Sequence, residues 1–289
     1  MSKILTNSEL PLCMFDENLQ LNQYDFVLYH LLETNELYRN YYITLRETHP
    51  DRLMILDNSA YEFYVRGEEC NFDVFVQWIC KLRPDFYILP DTLMNFEKTV
   101  TDTWNFLEKY YDLIREKTGG YSKPMAVLQG NTVDTLLSCA EHYKNWGKIK
   151  AIAVPFHNSF FTTCWRVSDL EQFNTIYPEI TKDIKYAGGR VAFLRFLNKY
   201  MREELNFIFP HVHLLGSHCP YEKHVISKMK LPYIKTMDTG YPVKCGYEGV
   251  TLFKETKKPD VIIDDFLEED LDLKTMEIIR NNVKRFRDI

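Results

Sequence analysis

Glycine is scarce in this chain, 11 of 289 residues, and none of it forms an early G-x-G-x-x-G or Walker A loop. The usual cradles for dinucleotides and nucleoside triphosphates are therefore not expected. The seven cysteines (Cys13, Cys70, Cys80, Cys139, Cys164, Cys219 and Cys245) are scattered and never spaced C-x-x-C. That argues against a disulfide framework or a structural zinc and for free thiols in a reducing compartment. No apolar run approaches the ~20 residues of a membrane helix, and Met1 to Asn7 lacks the apolar core of a signal peptide. Excess positive charge is missing too: 35 Lys and Arg against 41 Asp and Glu give −6. A general electrostatic nucleic-acid binder is not expected, although a local basic face remains compatible. The chain reads as a cytoplasmic protein with no membrane partner.

What is present is a repeated pattern. Five short apolar runs each end in a polar, acidic or glycine residue: Leu53 to Asp57, Phe86 to Asp91, Met125 to Gln129, His213 to Gly216 and Tyr233 to Asp238. Strands of a parallel sheet are buried along their length and carry chemistry at their C-terminal ends. Two more strands are read at Phe26–Leu31 and Lys150–Val154, and the eighth is either Val250–Phe253 or Val261–Ile263. Helices are expected near 35–48, 71–83, 96–117, 132–146, 191–208 and 220–230, with an irregular glycine-bearing segment after Asp238. Alternating β and α of this kind predicts an α/β protein, a (β/α)8 TIM-like barrel, as a single domain over 1–289. The acidic stretch Asp260 to Asp272 reads as solvated surface before a final helix.

Asp57 lies in Asp57-Asn-Ser-Ala-Tyr61-Glu62, where small residues let a ligand approach and Tyr61 can stack on a planar group; a helix cap is the competing role. Asp91 also competes with capping. Gln129 precedes Gly130 and offers both donor and acceptor. Asp238 couples a strand-end acid to a turn, and carboxylates are competent nucleophiles at acetal-like carbons. His211-x-His213 with His218 lacks obvious partners for a metal site, and Cys219 and Cys245 lack a His to activate them. No cofactor or metal is expected. Arg190, Arg195, Lys199 and Arg202 span one helix and could touch phosphates, with a solvated face as the commoner explanation.

Six segments in order resemble the tRNA-guanine transglycosylase superfamily, and most of all its zinc-lacking, often phage-encoded members that place 7-deazaguanines in DNA. Asp57 to Glu62 resembles Asp-Ser-Gly-Gly-Tyr/Phe-Gln, and Leu89-Pro-Asp91 resembles Phe-Asp-Glu. Leu128-Gln129-Gly130-Asn131 resembles Val-Gln-Gly-Gly, and Ala151 to Pro155 resembles Gly-Leu-Ala-Val-Gly. Leu214 to His218 resembles Leu-Met-Gly-Val-Gly, and Met237 to Lys244 resembles the nucleophile segment. The family's Cys-x-Cys-x-x-Cys set is missing, and Ala151 and Pro155 replace glycines.

The resemblance implies a pentosyltransferase that exchanges guanine in DNA, or alternatively tRNA, for a 7-deazaguanine such as preQ0. It makes Asp238 the nucleophile and Asp57 the proton manager. Asp91 and Gln129, with Gly130, would read the base, and Tyr61 and Leu215 would sandwich it. Gly216 and the Ala151-Ile152-Ala153 backbone would meet its edge, and Lys244 would join the weak nucleic-acid set. A phage-encoded member would work in the host cytoplasm. A homodimer, a partner protein or a catalytically silent barrel serving as a subunit stays open.

Overall fold

A computed structural model describes residues 3–156, 158–163, 182–252 and 270–289. The strands are β1 (Leu5–Ser8), β2 (Asp25–Leu28), β3 (Met54–Asp57), β4 (Phe86–Ile88), β5 (Lys123–Val127), β6 (Ala151–Pro155), β7 (His211–Leu215) and β8 (Ile234–Thr239). They form one sheet in the order β1-β8-β7-β6-β5-β4-β3-β2. This parallel order, with helices between strands, makes a nearly closed (β/α)8 barrel, the fold class expected from the sequence. The helices are α1 (Asn18–Leu21), α2 (Tyr29–Thr34), α3 (Glu36–Thr48), α4 (Ala60–Arg66), α5 (Phe72–Leu82), α6 (Phe96–Thr118), α7 (Val133–Trp146), α8 (Lys182–Glu203), α9 (Pro220–Lys228), α10 (Tyr241–Tyr247) and α11 (Leu273–Asp288). None of the described helices is long and apolar enough to cross a membrane.

The chain divides into two compact units, each assembled from separate stretches. One comprises 25–158 and 199–213. Its strands are apolar and buried: Ile55, Leu56, Tyr87, Met125, Ala126 and Ile152 are all at most 1% exposed. Each such side chain contributes roughly 1.5–3 kcal/mol when it is large. Its helices start where the residue types dictate. Asn35, Asn71, Asn95 and Thr132 each accept a hydrogen bond from the backbone N–H three residues on, worth about 1 kcal/mol apiece. Helices α4, α6 and α7 end on Gly67, Gly119 and Gly147 in the left-handed region.

The other unit comprises 1–24, 159–198 and 214–289. Strand β1 runs parallel to β8, with Asn7 opposite Asp238. Its outer edge is satisfied by the segment before β2. Ser8 N–H donates to Asn22 Oδ1 (2.7 Å), Asn22 Nδ2 donates to Ser8 O (2.9 Å) and Gln23 N–H to Thr6 O (3.1 Å). Leu10, Met14, Leu21, Val243, Ile279 and Val283 form a core to which α11 contributes Ile279 and Val283. Gly246 is obligatory there, because a Cβ would lie 2.3 Å from Ile279 Cγ1 and 3.0 Å from backbone. Lys223 is buried and donates to Phe286 O (3.1 Å) and Arg287 O (2.6 Å), capping α11; burial pulls its pKa down to about 8.

Several expectations need correction. The eighth strand is β1, not Val250–Phe253, whose described residues 250–252 form no strand; Val261–Ile263 lies outside the described residues. β2 stops at Leu28 because Tyr29 begins a helix. α8 starts before residue 191 and ends at Glu203. Gly188-Gly189 lies inside it, and a Cβ on Gly189 would fall 1.9 Å from Phe161 O. Beyond its end, Leu205 N–H returns to Tyr200 O (3.0 Å) and Phe207 N–H to Met201 O (2.9 Å), with Asn206 at φ 46°. The segment after Asp238 is helical (α10) rather than irregular. Most of the acidic stretch and Cys164 lie outside the described residues.

Candidate active-site residues

In the 25–158 unit, β3, β4 and β5 deliver Asp57, Asp91 and Gln129 just at or beyond their last residues. Asp57 Oδ2 accepts from Ser59 N–H (2.8 Å). The turn that allows this puts Ser59 at φ 58°, a left-handed conformation uncommon for a residue with a side chain. The hydroxyl of Ser59 compensates by meeting buried His30, with Oγ 2.9 Å from Nδ1. Asp91 is the centre of an amide cradle. Asn58 Nδ2 donates to Oδ1 (3.1 Å) and Gln129 Nε2 donates to Oδ2 (2.8 Å). Asn58 also holds the loop, donating to Leu89 O (2.7 Å) and accepting from Ala60 N–H (2.8 Å). Met94 N–H donates to Gln129 Oε1 (2.9 Å), which settles which way the amide faces. Removal from water pushes the Asp91 pKa above the usual carboxylate value, and the two amide donors oppose that rise.

The neighbouring sequence explains the cradle's rigidity. Gly130 is needed because a Cβ would lie 2.3 Å from Thr135 Oγ1, and its carbonyl accepts from Asn158 Nδ2 (2.8 Å). Tyr61, on α4, is 54% exposed, so its ring is accessible for stacking. Ala151, Ile152 and Ala153 lie in the strand expected at Lys150–Val154. They form the buried body of β6 rather than its end, and their backbone is paired with Met125, Ala126 and Val127. Leu128 N–H takes the Ala153 carbonyl (2.9 Å). The residues at the end of β6 are Val154 and Pro155.

In the other unit, β8 carries Asp238, which is 5% exposed, and the Gly216 N–H donates to its Oδ1 (2.9 Å). Gly216 follows Leu215 at the end of β7 and sits at φ 63°. Arg190 is wholly buried, which corrects its assignment to a phosphate-contacting face. Its Nε and Nη2 meet Glu222 (2.7 Å each), Nη1 donates to Leu215 O (2.9 Å) and Nη2 to Gly216 O (2.7 Å). Arg195, Lys199 and Arg202 are exposed, with Lys199 Nζ 3.6 Å from Glu203. Lys244 is half-buried on α10.

Other chemistry is disfavoured by environment. Burial pushes the Cys70, Cys139 and Cys245 thiols up to about 12, 11 and 12, so none is a ready thiolate. His213 stacks on Phe26 at 5.2 Å and His211 packs on Phe86 at 4.5 Å, as core rings. Among the described residues no group of three His, Cys, Asp or Glu is arranged to hold a metal. Sequence reasoning missed Asn58, Ser59, His30 and Glu222. Asn58 and Ser59 stand inside the quoted Asp57 segment and could have been found there; His30 and Glu222 carry no local signal.

No family model matches the chain, and no curated protein matches it. Among solved structures it is similar to KGPDC from Streptococcus mutans, with 12% identity over 92% of this chain and 87% of that one, at a TM-score of 0.40.

Proposed function

We propose that this protein is a base-exchange transglycosylase that replaces guanine in DNA with a 7-deazaguanine through an aspartyl glycosyl intermediate. The observation that carries the reading is the Asp91–Gln129 pair. A primary amide has two protons and a carboxylate about four acceptor sites. Gln129 commits an Nε2 proton to Asp91 and has its Oε1 held by Met94. The pair can then present one amide proton toward O6 of guanine beside a carboxylate for N1–H and the 2-amino group. A carboxylate accepting two N–H donors side by side is the stronger kind of hydrogen bonding. The exposed Tyr61 ring offers a face on which the base can stack.

In the proposed reaction Asp238 attacks C1′ and the C1′–N9 bond breaks, its electron pair leaving with guanine, which takes a proton relayed through Asp57. The incoming 7-deazaguanine gives its N9 proton back to Asp57, attacks C1′ and expels the Asp238 carboxylate. The target base must first leave the stack, so single-stranded or flipped DNA is the substrate form. Arg195, Lys199 and Arg202 supply exposed positive charge on one helix for the backbone.

The test is incubation with DNA, tRNA and radiolabelled preQ0, with Asp238→Ala alongside. Label entering DNA only with intact Asp238 supports the proposal. Label entering tRNA alone keeps the chemistry and changes the polymer. No label in either overturns it and leaves a silent barrel.

A further inference from the structure

Among the described residues, the largest wholly buried side chain outside any assigned role is Arg190, and it is ionic. A buried ion pair of this sort adds little net stability over apolar residues of the same volume, so its geometry needs another reason. Among its hydrogen bonds, Arg190 makes two to Glu222, one to Leu215 O and one to Gly216 O. Both carbonyls belong to the β7 end whose Gly216 N–H reaches Asp238. Glu222 is itself steadied by Ser217 Oγ, which donates to its Oε2 (2.9 Å). Thr239, next to Asp238, donates through Oγ1 to Ser217 O (2.6 Å) and accepts from Tyr241 N–H (3.0 Å). The left-handed Gly216 turn is thus held from its carbonyl side by a planar fork, while its amide faces the acid. A lysine, with a single nitrogen, cannot replace that fork.

We infer that Arg190, Glu222 and Ser217 are positioning residues that hold the Gly216 amide on Asp238 and so aim the carboxylate, an inference that rests on Asp238 being the nucleophile. They touch neither base nor sugar. Their effect is orientational, and misplacing a reacting group by about 1 Å costs on the order of 100-fold in rate.

The test uses the full chain with Arg190→Lys, and with Ser217→Ala as a milder second variant should the first fail to fold. Circular dichroism establishes the fold. Two readouts then separate aiming from general structure: hydrogen exchange at the Gly216 amide and the kcat–KM split of base exchange. The expected result for Arg190→Lys is Gly216 exchange faster by about 10-fold or more, kcat lower by about 100-fold and KM for the 7-deazaguanine within about 2-fold, because the Asp91 cradle is untouched. Ser217→Ala moves both in the same direction by about 3- to 5-fold. Unchanged Gly216 exchange and kcat in a folded variant overturn the inference. If the wild-type chain exchanges no base, the functional proposal fails by that result, and Gly216 exchange alone still decides the clamp: faster exchange upholds it, unchanged exchange overturns it.

Discussion

Two acids in this molecule are held in opposite ways. Asp91 is gripped by neutral amides, Asn58 and Gln129, and its pKa rises because removal from water outweighs those bonds. Asp238 receives a backbone amide from a turn that is itself locked by a buried Arg190–Glu222 pair. The first arrangement suits a recognition group, since neutral partners leave room for a ligand to add donors. The second suits a group whose direction matters more than its affinity.

The largest expected effect breaks the comparison at Asp238. Asp238→Asn removes the proposed nucleophile and should lower kcat for base exchange by more than about 10⁴-fold, measured as label transfer, with the thermal transition retained. Next, Glu222→Ala leaves the Arg190 guanidinium buried without its counter-charge. It should cost about 3–5 kcal/mol of stability in urea unfolding; a loss below about 1 kcal/mol would mean the pair is solvated. Gln129→Ala is expected to weaken 7-deazaguanine binding by about 1–3 kcal/mol in calorimetry, with kcat changing less.

A smaller effect concerns pH. The folded pKa of Asp91 lies above its unfolded value. Its ionisation therefore opposes folding: the stability it contributes is full below the unfolded pKa and is lost as pH rises through the folded one. Denaturation midpoints of wild type should fall relative to Asp91→Asn as pH rises from about 4. Affinity for the base should rise over the same window, because the ionised acid is the better acceptor. The smallest effect separates the exposed cations from Arg190. Arg195→Ala and Arg202→Ala should each reduce the salt slope of DNA binding by roughly 0.7 (single strand) to 0.9 (duplex) for every phosphate that the side chain neutralises, with stability within about 0.5 kcal/mol.

Much of this was legible in the residues. The ends of β3, β5 and β8 could be read because apolar runs stop at single polar residues, and the amphipathic or capped helices α3, α5, α6 and α7 follow their sequence signals closely. β1 could not be read, because Thr6, Asn7 and Ser8 are buried polar residues whose partners lie about 15 residues on and hydrophobic periodicity is blind to them. Arg190 was misread for a different reason. Arg195, Lys199 and Arg202 follow helical spacing, but Arg195 stands five positions on from Arg190, about 140° round the helix.

The seam beside β1 has a consequence for self-association. A strand at the end of a sheet normally offers a row of open donors and acceptors to any passing chain. Here Asn22 and Gln23 occupy the groups of Thr6 and Ser8 that such a chain would seek. Two uncharged side chains thereby make this strand a poor template for fibril growth.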